Sequence, residues 1–235
     1  MAGSVNLLAF DTSTEILRVA VHAAHGPSAR HEAQGGAHAS TSLIPTIQAL
    51  LARCGLTLSQ LDAIAFGRGP GSFTGLRTAC SVAQGLAFGA AVPVLGVETL
   101  LAVAEDARHR SGASRVVAML DARMNEVYAA RYVHEDGAWR REGPITLGPP
   151  EQVPLAPGWT AAGNVFGEYG ERMAAAAPRI EAAPTADALL RLAPGLLAAG
   201  QAQPAAGATP LYIRDKVAQT PEERAALRAA TRPTP

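Results

Sequence analysis

The chain has 235 residues, 48% of them hydrophobic and only 17% charged, which excludes an intrinsically disordered polypeptide and supplies a sizeable core for one or two domains. Lys+Arg and Asp+Glu number 20 each, so the basic excess of a protein that grips RNA unaided is missing. Cys54 and Cys80 are the only cysteines, which excludes a disulfide framework.

In chain order, Leu7-Leu8-Ala9-Phe10-Asp11 predicts a short apolar strand ending in an acid. Thr12-Ser13-Thr14 turns the chain, and Leu17 to Val21 returns as the second arm of a hairpin. No basic n-region of a signal peptide precedes this strand, so a cytoplasmic location is expected. Ser40 or Thr41 is expected to cap a helix whose residues Leu43, Ile44, Ile47, Leu50 and Leu51 share one face, and Gly55 ends it. Leu61 to Phe66 reads as a buried strand that runs into a glycine-rich loop, Gly67 to Gly75. An apolar helix follows from near Ser72 or Thr74 to Ala90, then a strand at Pro93 to Leu95 and a helix from Thr99 to Arg110. Thr78 to Val97 carries no charge, but Ser81, Gln84, Pro93 and many small residues fit a buried helix and strand better than a membrane span.

Val117 to Asp121, the turn Ala122-Arg123-Met124-Asn125 and the strand Val127 to Val133 repeat the opening pattern. A shift of 110 residues lays Asp121 on Asp11, which predicts a duplicated unit hinged near Gly112. Further strands are expected near Arg140 to Leu147, Trp159 to Ala162 and Arg179 to Ala182. Helices fit Val165 to Ala176 and Ala186 to Ala199, Gly200 to Pro210 is a loop, and the residues after Thr220 form a polar tail.

A strand, a glycine loop and a helix N-terminus is where α/β proteins hold phosphates. The loop nevertheless lacks the Walker A spacing, has Thr74 or Ser72 where a dinucleotide fingerprint needs its third glycine, and has Pro70 where a nucleophile elbow needs glycine. Two readings stay open: glycines that cradle a ligand, or glycines that let backbones pack closely. No lysine lies near the loop, so Arg68 and Arg77 are the available cations. The six histidines, His22, His25, His31, His38, His109 and His134, show no metal-ligand pattern, and neither HExxH nor a recognisable Ser/His/Asp order occurs.

The motifs Leu8-Ala9-Phe10-Asp11-Thr12-Ser13-Thr14, Gly69-Pro70-Gly71-Ser72-Phe73-Thr74-Gly75-Leu76-Arg77, Asp121-Ala122-Arg123 with Glu126-Val127-Tyr128, and Pro210-Leu211-Tyr212-Ile213-Arg214 resemble, in order and over nearly the whole chain, those of the bacterial TsaB (YeaZ) family of tRNA threonylcarbamoyladenosine (t6A) synthesis. The resemblance implies an α/β, actin/Hsp70-like (ASKHA), duplicated ribonuclease H-like fold in two lobes; the hinge near Gly112 sets the expected lobes at residues 1–112 and 113–217, and the polar, proline-ended composition makes 218–235 an expected mobile tail. The resemblance also implies a non-catalytic subunit that scaffolds and activates the transferase TsaD together with the ATPase TsaE. That assembly moves threonylcarbamoyl onto the adenosine beside the anticodon. Further implications are a homodimer when alone and contact with tRNA only through the complex.

The transferase relative carries a metal-binding histidine pair, four residues apart on a helix, at the place of Gly96 to Ala102; no histidine stands there, so no metal site is expected. By the same resemblance Asp11, Thr12, Ser13, Gly69, Gly71 and Ser72 form a real or vestigial nucleotide site, with ATP or ADP at the subunit interface the one cofactor left open. The other reading is that Asp11 caps its own turn. By the same resemblance the partner interface is expected on two helices, at Leu43, Ile47 and Leu51 and at Arg77, Ala79, Ala83 and Ala87; the other reading is that the second helix is covered entirely by its own domain. Two alternatives are an ATP-binding actin-fold enzyme acting through Asp11, and a peptidase, which would need an activated nucleophile or a metal pair.

Overall fold

Two five-stranded sheets of the same topology stand behind the sequence repeat. The computed structural model describes residues 5–36, 39–175 and 177–214; Lys216 and the expected tail at 218–235 lie outside them. The first sheet has the order β3-β2-β1-β4-β5, built from β1 (Leu7–Asp11), β2 (Ile16–His22), β3 (Ser28–Gln34), β4 (Ala63–Gly69) and β5 (Val94–Glu98). The second repeats it as β8-β7-β6-β9-β10, from β6 (Arg115–Asp121), β7 (Val127–Glu135), β8 (Ala138–Gly148), β9 (Thr160–Gly163) and β10 (Arg179–Glu181). In both, three antiparallel strands are followed by two strands parallel to the first. Asp11 and Asp121 end the equivalent strands β1 and β6, so the architecture is the duplicated two-lobe α/β fold of the actin/Hsp70-like type.

β1 is apolar at consecutive positions because it is covered on both faces. Leu8 and Phe10 pack with Val19, Ile64 and Phe66 beneath α1 (Ala39–Cys54) and α2 (Phe73–Ala90). Leu7 and Ala9 face the other way, with Ala20, Ala63 and Ala65, against α5 (Ala186–Ala198). Small side chains on that face let α5 approach the sheet closely. α3 (Thr99–Ser111) instead lays Leu100, Val103, Ala104 and Ala107 on the second sheet, beside Val116, Ala118 and Leu120. The helix that closes each half therefore crosses to the other half's sheet. Glu105 of α3 fixes the crossing by accepting from Trp139 Nε1 of β8 and Arg191 Nε of α5, both at 2.9 Å.

Several elements differ from expectation. β3 carries no apolar alternation, because as an edge strand it buries only Ala29, and its charged residues guard the edge. The helix expected over Val165 to Ala176 is reduced to the single turn α4 (Phe166–Tyr169) and a 3-10 turn at Gly170–Arg172. Val165, Tyr169 and Met173 keep helical spacing and are buried, but Gly167 and Gly170 weaken the helix between them. Ser40 and Thr41 lie inside the first turn of α1 rather than capping it. The 200–210 loop is not free-running: Gln203 exchanges both backbone hydrogen bonds with Val94. No helix of the described residues is long and apolar enough to cross a membrane.

Candidate functional site

The glycine loop and the β1–β2 turn are packed into each other. Asp11 Oδ1 accepts from the Ser13 N–H (2.9 Å) and from Ser13 Oγ (2.6 Å), an Asx turn. Ser72, the N-cap of α2, donates its N–H to the Ser13 carbonyl at 2.8 Å, and Thr12 Oγ1 donates to the Gly75 carbonyl at 2.7 Å. A Cβ on Gly71 would stand 2.6 Å from Ser13; one on Gly67 would overlap the Asp11 carboxylate, and one on Gly75 the Thr12 carbonyl. Gly69, at φ +120°, sits against the Leu211 carbonyl. Close approach of the β1–β2 turn and of Leu211 leaves no room for a side chain at these positions.

Asp11 is buried, and its Oδ2 has no hydrogen-bond partner among the described residues. Burial raises its pKa to about 6, against the lowering effect of the bonds from Ser13 and the charge of Arg18. A raised carboxyl pKa contributes stability that is complete below the unfolded value of 3.8 and is lost as pH climbs through about 6. Relative to an Asp11→Asn variant, which keeps the acceptor for Ser13, the native chain should therefore gain about 1.4 kcal/mol between about pH 7.5 and about pH 5. Urea unfolding of both proteins across that range measures it; parallel pH profiles would contradict the assignment.

Beside this junction lies the cleft between the lobes, about 330 Å³ in volume. Ser13, Gly71 and Ser72 line it, whereas Asp11, Thr12 and Gly69 do not. Arg68 and Arg77 do not line it either: Arg68 turns towards Glu98 (3.8 Å), and Arg77 stacks over Phe73 (3.8 Å) and donates to Tyr212 Oη. The cations in the cleft are Arg123 and Arg214. Arg123 pairs with Glu15 at 2.6 Å across the two hairpin turns, and Arg214 pairs with Glu126 at 2.7 Å. Both arginines stand in motifs that the sequence singles out, but only the fold brings the hairpin turns and the 211–214 segment together. The segment Leu211 to Arg214 straps the lobes, its ends bonded to the Arg68 and Ala122 carbonyls.

Glu98, within the Gly96 to Ala102 segment, accepts from Tyr132 Oη at 2.8 Å and lies between Arg68 and Arg141. Among the described residues no group of three His, Cys, Asp or Glu could hold a metal ion. His22 Nδ1 and Ser28 Oγ are 2.8 Å apart, as directly opposed residues of β2 and β3 on an exposed edge.

The residues expected at a partner interface are placed differently. Leu43, Ile47, Leu51, Ala79, Ala83 and Ala87 are buried in the core beneath α1 and α2 and cannot meet a partner; of that set only Arg77 is exposed. The same apolar periodicity that marks a helix marks its sheet-facing side. The outward side of the pair carries Ile44 (40% exposed) and Phe88 (82%), with a shallow groove between Ser40 of α1 and Phe73, Arg77 and Ser81 of α2.

A family model described as TsaD, tRNA N6-adenosine threonylcarbamoyltransferase, matches residues 19–141. The tRNA threonylcarbamoyladenosine biosynthesis protein TsaB of Escherichia coli (strain K12) is 36% identical over 227 residues, covering 91% of this chain and 96% of its own. TsaB of Haemophilus influenzae is 47% identical over 132 residues, 56% of each chain. Among solved structures, YeaZ from Pseudomonas aeruginosa has a TM-score of 0.81 at 41% identity, covering 89% of this chain and 100% of that one. A second structure with the same values is described as an uncharacterized protein with similarity to peptidase YEAZ. Shared sequence over almost the full length, together with the duplicated fold, means that this chain belongs to the TsaB (YeaZ) family of tRNA threonylcarbamoyladenosine biosynthesis proteins.

Proposed function

We propose that the chain is a non-catalytic subunit of t6A synthesis, which binds a TsaD-type transferase and favours its competent arrangement. The observation that carries this reading is the closed loop–turn junction. The turn that would meet phosphate in an actin-like ATPase is bonded instead to the protein's own glycine loop, with Asp11 sealed from the cleft. Such a subunit acts by differential binding to one state of its partner rather than by supplying reacting groups. The outward side of α1 and α2, with Ile44 and Phe88, is the proposed docking face, and a homodimer formed through it in isolation would be isologous. A TsaE-type ATPase completes the proposed assembly in the cytoplasm, and tRNA is met within it.

Reconstitution with purified transferase and ATPase partners, supplied with threonylcarbamoyl-adenylate and tRNA, tests the reading. Modification should depend on this chain, and the chain alone should form no product. Full modification in its absence would sink the proposal. Magnesium-dependent ATP turnover by the isolated chain would establish the actin-fold enzyme instead.

A further inference from the structure

The outer face of the second sheet carries a cationic cluster that the proposed docking face leaves unused. In the β6–β7 register Arg115 stands opposite Val133, and Arg131 opposite Val117, so the two arginines are diagonal neighbours on one face. Both guanidinium groups reach the same indole, Arg115 Cζ at 4.7 Å and Arg131 Cζ at 5.3 Å from the centre of the Trp159 ring. Trp159 itself is buried, part of the cluster that includes Val117, Ala161 and Tyr169. Among the described residues neither arginine side chain has a carboxylate partner: Arg131 donates to the Pro154 carbonyl at 3.0 Å, and the Arg115 guanidinium lies over the Trp159 ring. Glu135, the other diagonal neighbour of Arg115, is paired with Arg140.

Two like charges held on one ring without a counter-ion repel each other, and an anion between them offsets that repulsion. A guanidinium held over an aromatic ring by cation–π attraction keeps N–H groups that can donate to an oxygen-rich anion. Arg131, Val117, Ala161 and Arg179 are register neighbours across β7, β6, β9 and β10. Three interstrand steps put Arg179 about 14 Å from Arg131, longer than the spacing of adjacent backbone phosphates and suited to a second, non-adjacent phosphate. Arg179 lies over Phe166 and is bonded to the Met173 carbonyl. Arg172 provides the contrast on this face, since it covers Tyr169 but is neutralised by Glu151 at 2.8 Å. Glu168 and Glu171 lie on the α4 side, and Glu181 follows two residues after Arg179, so the cationic character is concentrated at the Trp159 corner.

We propose that Arg115 and Arg131, seated on Trp159, anchor a phosphate of the tRNA backbone when the chain works in the modification complex. This rests on the proposed role in t6A synthesis. A local phosphate contact is compatible with zero net charge, because it adds to a grip supplied by other subunits.

The test compares wild-type complex with complexes containing Arg115→Gln/Arg131→Gln, the single Arg115→Gln, and Arg172→Gln. Glutamine keeps part of the stem over Trp159, and thermal unfolding of each variant checks folding. A substrate tRNA transcript is titrated over a range of salt concentrations, and transferase affinity is measured separately. The double variant should bind tRNA about tenfold more weakly near 0.1 M salt, with the slope of log K against log salt shallower by about 0.9. The single variant should lose about half of that slope, and Arg172→Gln should change nothing. Unchanged tRNA affinity and slope in the folded double variant would overturn the anchor. So would a loss of transferase binding in place of tRNA binding, which would make the face a protein contact. If the wild-type chain fails to stimulate modification, the functional reading falls and the anchor falls with it.

Discussion

Gly75→Ala should destabilise the protein by about 4 kcal/mol, while Gly85→Ala, on the same helix, should stabilise it by about 0.5–1 kcal/mol. Helix propensity favours alanine at both positions. The difference is tertiary. A methyl group at residue 75 would overlap the Thr12 carbonyl, whereas nothing lies within 4 Å of a Cβ at residue 85. To make room, α2 would have to withdraw from the β1–β2 turn. That movement breaks the bonds from Thr12 Oγ1 to Gly75 and from the Ser72 N–H to Ser13, and it pulls Leu76 and Ala79 away from their buried positions. Urea denaturation of the two variants measures both effects. Equal shifts of either sign would show that the loop–turn junction does not constrain α2.

Ile44→Asp combined with Phe88→Asp should lower affinity for the transferase at least about 100-fold, with the unfolding temperature nearly unchanged. Both side chains project from the outward side of α1 and α2, so a carboxylate at either position remains hydrated in the free subunit. On docking it would be stripped of water against an apolar surface. Ile47→Asp and Ala83→Asp are the reverse case. These residues are buried against the first sheet, and a charge there should unfold the subunit before any question of binding arises. Calorimetric titration of the folded outward variant against the transferase decides the matter; wild-type affinity would remove this face from the proposal.

Much was legible in the residues alone. The strand–acid–turn repeat at Asp11 and Asp121 marked the duplication, and it returns as two sheets of one topology. The glycine spacing excluded the common phosphate motifs, and the close contacts of Gly67, Gly71 and Gly75 agree with packing as their role. Regular apolar periodicity placed α1, α2, α3 and α5 because helix phase is a local property of the chain. Edge strand β3 escaped notice because a strand that buries one residue leaves no alternation to read. Periodicity likewise marks the buried side of α1 and α2 but says nothing of the opposite side, so the pattern of Leu43, Ile47, Leu51, Ala79, Ala83 and Ala87, which are buried in the core, does not by itself locate an interface. The pairing of Glu15 with Arg123 and the meeting of Arg115 and Arg131 on Trp159 join residues distant in the chain. The sequence alone determined which segments fold and that the two halves are related, because those depend on local propensity and spacing. Only the tertiary structure decided which faces are covered and which charges lack a partner, because burial and Coulomb energy depend on distances in space, which strand register and helix crossing set.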